Sequence, residues 1–270
     1  TYFKNEDIFI TKGNSKAINQ NNTITATDFK FDRKKNIITA SNKVKYESGN
    51  AGNQFTIFSD DATYFKNEDI FITKGNSKAI NQNNTITATD FKFDRKKNII
   101  TASKNVQYID GKKDTIIKSD KVNYQKNDEI IFTEGNTSAL IENKYNFISN
   151  RIKFNKIKQE LSSEDKSTVI DNNENNYSTN NFLYHIDKKL LKAKNVTLIS
   201  KIDENKKDNY FFSEGFFDFG KESFVTKDTK IKIHKDIFGN KEHDPRLFGS
   251  SSFGDKKKTI INKGKFTSCK

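Results

Sequence analysis

A tract of 41 residues, TYFKNEDIFITKGNSKAINQNNTITATDFKFDRKKNIITAS, occurs twice without one difference, at Thr1–Ser41 and at Thr63–Ser103, an offset of 62 residues. Packing tolerates substitution at exposed sites, so no physical need keeps every surface Lys and Asn the same. The identity reads as a recent duplication, or as a cloning or assembly error. It also constrains the fold. A globular core does not readily absorb a long insertion, whereas a stack of similar units lengthens by whole units.

A finer period runs through the chain. TIFSDDATYFKNEDIFITKGN, TITATDFKFDRKKNIITASKN, TIIKSDKVNYQKNDEIIFTEGN, YNFISNRIKFNKIKQELSSED and NYSTNNFLYHIDKKLLKAKN share one grammar. A pair drawn from Ser, Thr, Asn and Asp precedes a short segment that ends on an aromatic residue. A polar turn follows, then a second short apolar run. The aromatic anchors are Tyr2, Phe31, Tyr64, Phe93, Tyr124, Phe154, Tyr184 and, less regularly, Phe219, at spacings clustered near 30 residues. The duplicated length is therefore two units.

Each unit has the pattern of strands. Phe91-Lys92-Phe93, Val122-Asn123-Tyr124 and Ile152-Lys153-Phe154 alternate apolar and polar, which turns both apolar side chains to one face. The second runs (Ile70–Ile72, Ile99–Thr101, Ile130–Phe132, Leu190–Leu191) are mostly β-branched or aromatic, as a pleated surface favours. A weaker third run follows around Ile80, Val106–Tyr108, Leu140–Ile141, Val169–Ile170 and Val196–Ile199. Turns such as FDRKKN and DGKKD separate them. No window of helical length carries a sustained 3.6-residue stripe. The fold class expected is all-β, an elongated repeat of short strands about ten residues apart.

Only 33% of the chain is hydrophobic, yet the apolar residues are regularly placed and include 24 Phe and 9 Tyr. A thin structure with a narrow apolar interior reconciles such polarity with order. The formal charge of +13 fits either an anionic partner or a solvated exterior, since the Lys are scattered over every unit. No patch of bases beside stacking aromatics stands out, so nucleic acid is not an expected partner. No apolar run approaches the ~18 residues of a membrane-spanning helix, and no series resembles a signal peptide. The chain has no Met and begins inside a repeat, as a fragment of a longer protein would.

Catalytic and metal signals are sparse. His185, His234 and His243 lie in different units or turns, without a second His or Cys at ligand spacing. No nucleophile motif appears around any Ser. The carboxylate pairs Glu6-Asp7 and Glu68-Asp69 sit in turns. The acids do not line up across units, because Asp128-Glu129 has no equivalent at Lys156–Lys158. That argues against a polysaccharide-cleaving β-helix. The expectation is no enzyme activity, no metal and no cofactor.

The tail, FVTKDTKIKIHKDIFGNKEHDPRLFGSSSFGDKKKTIINKGKFTSCK, completes a resemblance. Ser119-Asp120-Lys121-Val122-Asn123-Tyr124 through Gly135-Asn136 is similar to a unit of the organic-solvent-tolerance (OstA) family. That family includes the periplasmic N-terminal region of the outer-membrane lipopolysaccharide-assembly protein LptD and the related bridge protein LptA. The ending DPRLFGSSS…INKGKFTSC resembles the join between that region and a transmembrane β-barrel. The resemblance implies a rolled, V-shaped β-jellyroll over residues 1–235, a junction segment over 236–270 and a missing C-terminal barrel. It implies transport of lipopolysaccharide at the periplasmic face of the outer membrane of a Gram-negative cell, with acyl chains in an apolar groove. The partners implied are lipopolysaccharide, a periplasmic bridge protein stacked end to end, and the barrel with its lipoprotein plug. Groove candidates are Phe31, Tyr64, Ile72, Phe93, Ile100, Tyr124, Phe132, Phe154, Tyr184 and Leu190, with Lys126 expected on the exposed side. Cys269 matches the first of a Cys pair near that join, which implies a disulfide to a partner outside this chain. A soluble bridge protein and a purely structural β-solenoid are the alternative readings.

Overall fold

The computed structural model describes residues 1–19, 22–49, 55–199, 207–239, 242–255 and 257–268. Among them regular structure is β throughout, apart from one 3-10 turn at Lys235–Phe238. No helix is long and apolar enough to cross a membrane. The chain divides into two compact units, Thr1–Gly135 and Asn136–Lys270.

The first unit is an antiparallel meander. Its strands are β1 (Tyr2–Phe3), β2 (Ile8–Asn19), β3 (Asn22–Asp32), β4 (Ile37–Ser48), β5 (Phe55–Phe65), β6 (Ile70–Asn81), β7 (Asn84–Asp94), β8 (Ile99–Asp110), β9 (Thr115–Gln125) and β10 (Ile130–Glu134). Each pairs with the next. Polar hairpin loops dictate this order. In FDRKKN and its copy, the Asp32 and Asp94 carboxylates each accept the backbone N–H three residues on, at 3.0 Å. The last loop residue takes a left-handed φ, at Asp69, Asn98 and Glu129, as a four-residue loop built on a type I turn requires. Asn and Asp tolerate that region best.

Most of the strands in this unit are longer than the sequence pattern suggested. The second and third apolar runs join into single strands of 12 residues in β2, β4, β6 and β8. The expected break between runs is a β-bulge instead. Register shifts fall between Ser41 and Val44, between Lys74 and Ser77, and between Ser103 and Val106. Residues at these bulges, Asn42, Lys43, Asn76, Lys104 and Asn105, have positive φ. A bulge bends its strand and increases the local twist, so each long strand is folded across its middle.

The bend accounts for the Ser/Thr–Asp pair that recurs every 30 residues. Ser59 and Ser119 Oγ donate to the carbonyls of Asp61 and Lys121, at 2.9 and 3.1 Å. Thr73 and Ser77 hydroxyls meet at 2.6 Å, and Thr73 Oγ1 accepts the Phe91 N–H at 3.0 Å. These hydroxyls satisfy backbone groups that the bulge leaves unpaired inside the fold. The neighbouring acid closes the outside of the bend: Asp60 Oδ2 accepts from Asn76 Nδ2 at 2.8 Å. Its carboxylate packs against Gly75 (φ +74), where a Cβ would collide with it.

Two apolar rows result, one on each side of the bend. The first runs Phe9, Phe31, Ile38, Tyr64, Phe71, Phe93, Ile100, Tyr124, Ile131 across nine strands, each residue directly opposite the next. The second runs Ala17, Ile24, Tyr46, Ile57, Ala79, Ile86, Tyr108, Ile117. The fold brings the rows together: Tyr46 stacks on Phe71 at 4.8 Å, and Phe55 meets Phe93 edge-on at 5.7 Å.

In the second unit the bend widens into real strand breaks. Its strands are β11 (Thr137–Ile141), β12 (Tyr145–Ser149), β13 (Lys153–Asn155), β14 (Glu160–Ser163), β15 (Ser167–Ile170), β16 (Asn176–Thr179), β17 (Asn181–His185), β18 (Leu190–Ile199), β19 (Asn209–Asp218), β20 (Ser223–Lys232), β21 (Arg246–Gly254), β22 (Thr259–Asn262) and β23 (Lys265–Thr267). One wall is β13-β14-β17-β18 and the other β11-β12-β15-β16-β18, with the two halves of β18 serving both. Aromatic side chains fill the space between the walls, with Phe147 against Tyr184 at 4.8 Å and Tyr177 against Phe217 at 5.1 Å. The tail continues this sheet, because β21 pairs with β20 along its length.

Candidate functional site

The two rows of the first unit part at its N-terminal end and leave an apolar cleft of about 390 Å³. Phe31, Ile38 and Tyr64 from the first row form one wall, and Ala17, Ile24 and Tyr46 from the second form the other. One copy further on, the equivalent space is filled. Phe55 lies against Phe93, and Phe93, Ile86, Ile100 and Tyr108 are all buried. The cleft is thus the unfilled version of a packed site.

Its rim is cationic. Lys66 Nζ stands 5.2 Å from the Phe31 ring centre, and the structure gives it no carboxylate partner among the described residues. Arg95 donates to Asp69 at 2.7 Å and to the Tyr64 hydroxyl at 2.9 Å, while that hydroxyl donates to Asp69 at 2.7 Å. Burial and the bond to Asp69 push the Tyr64 hydroxyl up to about 12, against the opposing pull of Arg95. Tyr46, also raised by burial, donates to Asn22 Oδ1 at 3.0 Å. An apolar slot with one unpaired ammonium at its mouth suits an amphiphile with an acidic head.

The structure places the sequence candidates in three groups. Phe31 and Tyr64 line the cleft. Phe93, Ile100 and Tyr124 share their row but are buried, and Phe154 and Tyr184 are fully buried in the second unit. Ile72, Phe132 and Leu190 occupy the opposite face, since they pair with Thr63, Asn123 and His185 while Phe71, Ile131 and Leu191 take the inner positions. The physical reason is register: in the two copies' frame the loop sets Phe65 opposite Ile70, which puts Phe71 and not Ile72 beside Tyr64. Lys126, expected on the exposed side, lies over Phe55 at 4.3 Å and Phe93 at 5.2 Å, and desolvation lowers its pKa. Sequence reasoning missed Ala17, Ile24, Tyr46, Lys66 and Arg95. The alternation Val44-Lys45-Tyr46, one of the weaker third runs, was the available signal for the second wall.

The second unit holds another cleft of about 400 Å³, with Tyr177, Leu198, Tyr210, Phe212, Phe217 and Phe224 in its walls. Its carboxylates serve turns. Asp171 accepts from the N–H groups of Asn173 and Asn175 and from the Tyr177 hydroxyl, at 2.9, 3.0 and 3.0 Å. Asp218 accepts from the N–H groups of Gly220 and Lys221. His234 Nδ1 lies 2.9 Å from Asp208, and His185 Nδ1 lies 3.3 Å from Glu160. Among the described residues no three His, Cys, Asp or Glu side chains gather as a metal site. Cys269 lies outside the described residues.

No protein-family model and no curated protein sequence matches the chain. Among solved structures, the chain is similar to LptH from Pseudomonas aeruginosa, the LptA-homologous periplasmic component of its lipopolysaccharide transport device. The TM-score is 0.37 at 16% identity, over 38% of this chain and 76% of that one. The all-β antiparallel class rests on the strand register of this chain itself.

Proposed function

We propose that the chain carries lipopolysaccharide, with acyl chains in the cleft between the two apolar rows and phosphates at Lys66 and Arg95. In this reading residues 1–235 are the lipid-carrying jellyroll and 236–270 lead to a β-barrel that receives the lipid, at the periplasmic face of an outer membrane. A periplasmic bridge protein delivers lipid by stacking end to end, a lipoprotein plugs the barrel, and Cys269 pairs beyond this chain. The resemblance of the repeats and of the tail suggests these roles. The observation that carries the reading is the cleft: apolar walls, a volume within the ~300–1,000 Å³ usual for ligand sites, and an unpaired cation at its mouth. Acyl chains need only nonspecific apolar contact, so no deep polar pocket is required.

A photo-crosslinking residue at Phe31 or Ile24 should capture lipopolysaccharide, and one at Ile157, 72% exposed on a turn, should not. Lys66→Glu should reduce capture at Phe31. Equal labelling at Ile157, or none at the cleft, refutes the reading. A second reading, a purely structural β-stack, is favoured by the sealed interior around Ile100, Phe154 and Tyr184, each fully buried. It requires that the cleft residues remain unlabelled in a folded protein.

A further inference from the structure

Strand β19 breaks the alternation that the other strands keep. It reads Asn-Tyr-Phe-Phe-Ser-Glu-Gly-Phe-Phe-Asp, with aromatic residues side by side, so both of its faces carry apolar groups. A strand wetted on one face alternates; one covered on both does not. Tyr210, Phe212 and Phe217 line the inner cleft. On the outer face Phe216 lies opposite Val225, Val225 opposite Phe253, and Phe253 opposite Ile260. These four side chains form one row across β19, β20, β21 and β22, and they are 41%, 58%, 42% and 38% exposed.

Lysines border the row. Lys192 lies over the Phe216 ring at 5.1 Å. On the next outer row Lys230 sits between Phe211 and Phe248, 5.9 and 5.7 Å from their centres, and Lys265 lies opposite Phe248. Lys227 lies opposite Ser251, and Lys257 and Lys258 precede β22. The acids nearby are engaged: Glu214 faces Lys192 at 3.4 Å, Asp228 accepts from Ser213 at 2.6 Å, and Asp255 accepts from the Lys257 and Lys258 N–H groups.

We propose that the outer face of β19–β22 docks on a bilayer surface bearing anionic headgroups. Phe216, Val225, Phe253 and Ile260 enter the boundary between headgroups and acyl chains, and the bordering lysines meet the phosphates. Charge favours this occupant over a protein. Protein interfaces are depleted of Lys at their cores, whereas a lysine stem lies along apolar surface and lifts its ammonium to a headgroup at no loss. A narrow apolar row ringed by cations is also the pattern by which interfacial segments bind anionic lipid. The inference is independent of the cleft in the first unit.

The chain has no Trp, so a single introduced one reports its own surroundings. Full-length Val225→Trp is titrated with phosphatidylcholine vesicles, with and without phosphatidylglycerol, and with brominated acyl chains as quencher. A blue shift and quenching are expected only with phosphatidylglycerol present, and Ile157→Trp should show neither. Lys227→Gln with Lys265→Gln should lower partitioning about 25-fold, at about five-fold for each lysine near the surface, whereas Lys16→Gln with Lys78→Gln in the first unit should leave it within about two-fold. Identical behaviour of the two tryptophan variants, or equal losses in the two lysine pairs, means diffuse attraction and overturns the proposal. A concentration-dependent blue shift of the Val225→Trp variant without vesicles assigns the row to a second copy of the chain and overturns it too.

Discussion

Phe9 and Phe71 stand at the same place in the two identical tracts, and alanine at each should have very different costs. Phe71 is 1% exposed, opposite Tyr64 and Phe93 in its row and stacked on Tyr46 at 4.8 Å. Removing a ring so enclosed costs the transfer term plus a cavity, together about 3–5 kcal/mol for a core Phe. Phe9 is 38% exposed, and its main aromatic contact is Tyr2, stacked at 4.3 Å on the short edge strand β1. Burying a whole Phe is worth about 1.5–3 kcal/mol. About three-fifths of that, with no cavity term because the space opens to water, leaves about 1–2 kcal/mol. Phe71→Ala should therefore destabilise by about 2–3 kcal/mol more than Phe9→Ala. Urea unfolding followed by far-ultraviolet circular dichroism measures the difference, with the m-value checking that the transition remains cooperative. Hydrogen exchange along β2 and β6 then locates the loss, since the end of a stack opens before its middle. Equal losses, or a larger one at Phe9, would show that the rows do not meet as described.

The two bulge glycines give a second matched pair: Gly13→Ala meets nothing within 4 Å and should cost about 1 kcal/mol for its left-handed φ, whereas Gly75→Ala also displaces Asp60 from Asn76 and should cost about 1 kcal/mol more by thermal melting. Tyr184→Phe should be neutral or stabilising by up to about 1 kcal/mol, because the Tyr184 hydroxyl is buried without a hydrogen-bond partner. The Tyr64 hydroxyl titrates at about 12 when folded and near 10 when unfolded, so its contribution is intact below pH 10 and lost as pH rises toward about 12; unfolding of Tyr64→Phe across that window should fall less steeply than wild type. Deleting Thr1–Ala62 should leave a cooperatively folding protein in which Phe93 takes the place of Phe31, and loss of cooperative melting would count against nearest-neighbour stacking.

Much of this architecture is visible in the sequence because its devices are local. The aromatic anchors before each loop do form the first row, and the Ser/Thr–Asp pairs between runs do mark the bend. The inner face of the second run was not legible. Ile70-Phe71-Ile72 has no polar residue to reveal the alternation, so its face depends on how many residues the loop contributes. That number places Phe71 opposite Tyr64 and turns Ile72 outward. The role of Lys126 was hidden for a different reason. Phe55, the ring it covers at 4.3 Å, is distant in sequence and arrives only when the sheet folds at its bulges. Such a contact is set by the fold and leaves no mark in the local pattern.

The identical tracts separate what sequence determines from what position determines. Both copies have the same hairpin register, Phe9 with Phe31 and Phe71 with Phe93, so the local code fixes pairing and the side to which each ring points. Burial does not follow from that code. Lys66 and Lys126 stand equally far, 5.2 Å, from the equivalent rings Phe31 and Phe93. Yet only Phe93 also meets Phe55, and only Lys126 has its pKa lowered by desolvation. One neighbouring aromatic ring therefore converts an open cleft with a hydrated cation into closed core with a desolvated one. In a stack of this kind, a repeat binds or merely packs according to what its flank supplies. A change at Phe55 should open a second cleft at Phe93 without altering any residue of the repeat that forms it.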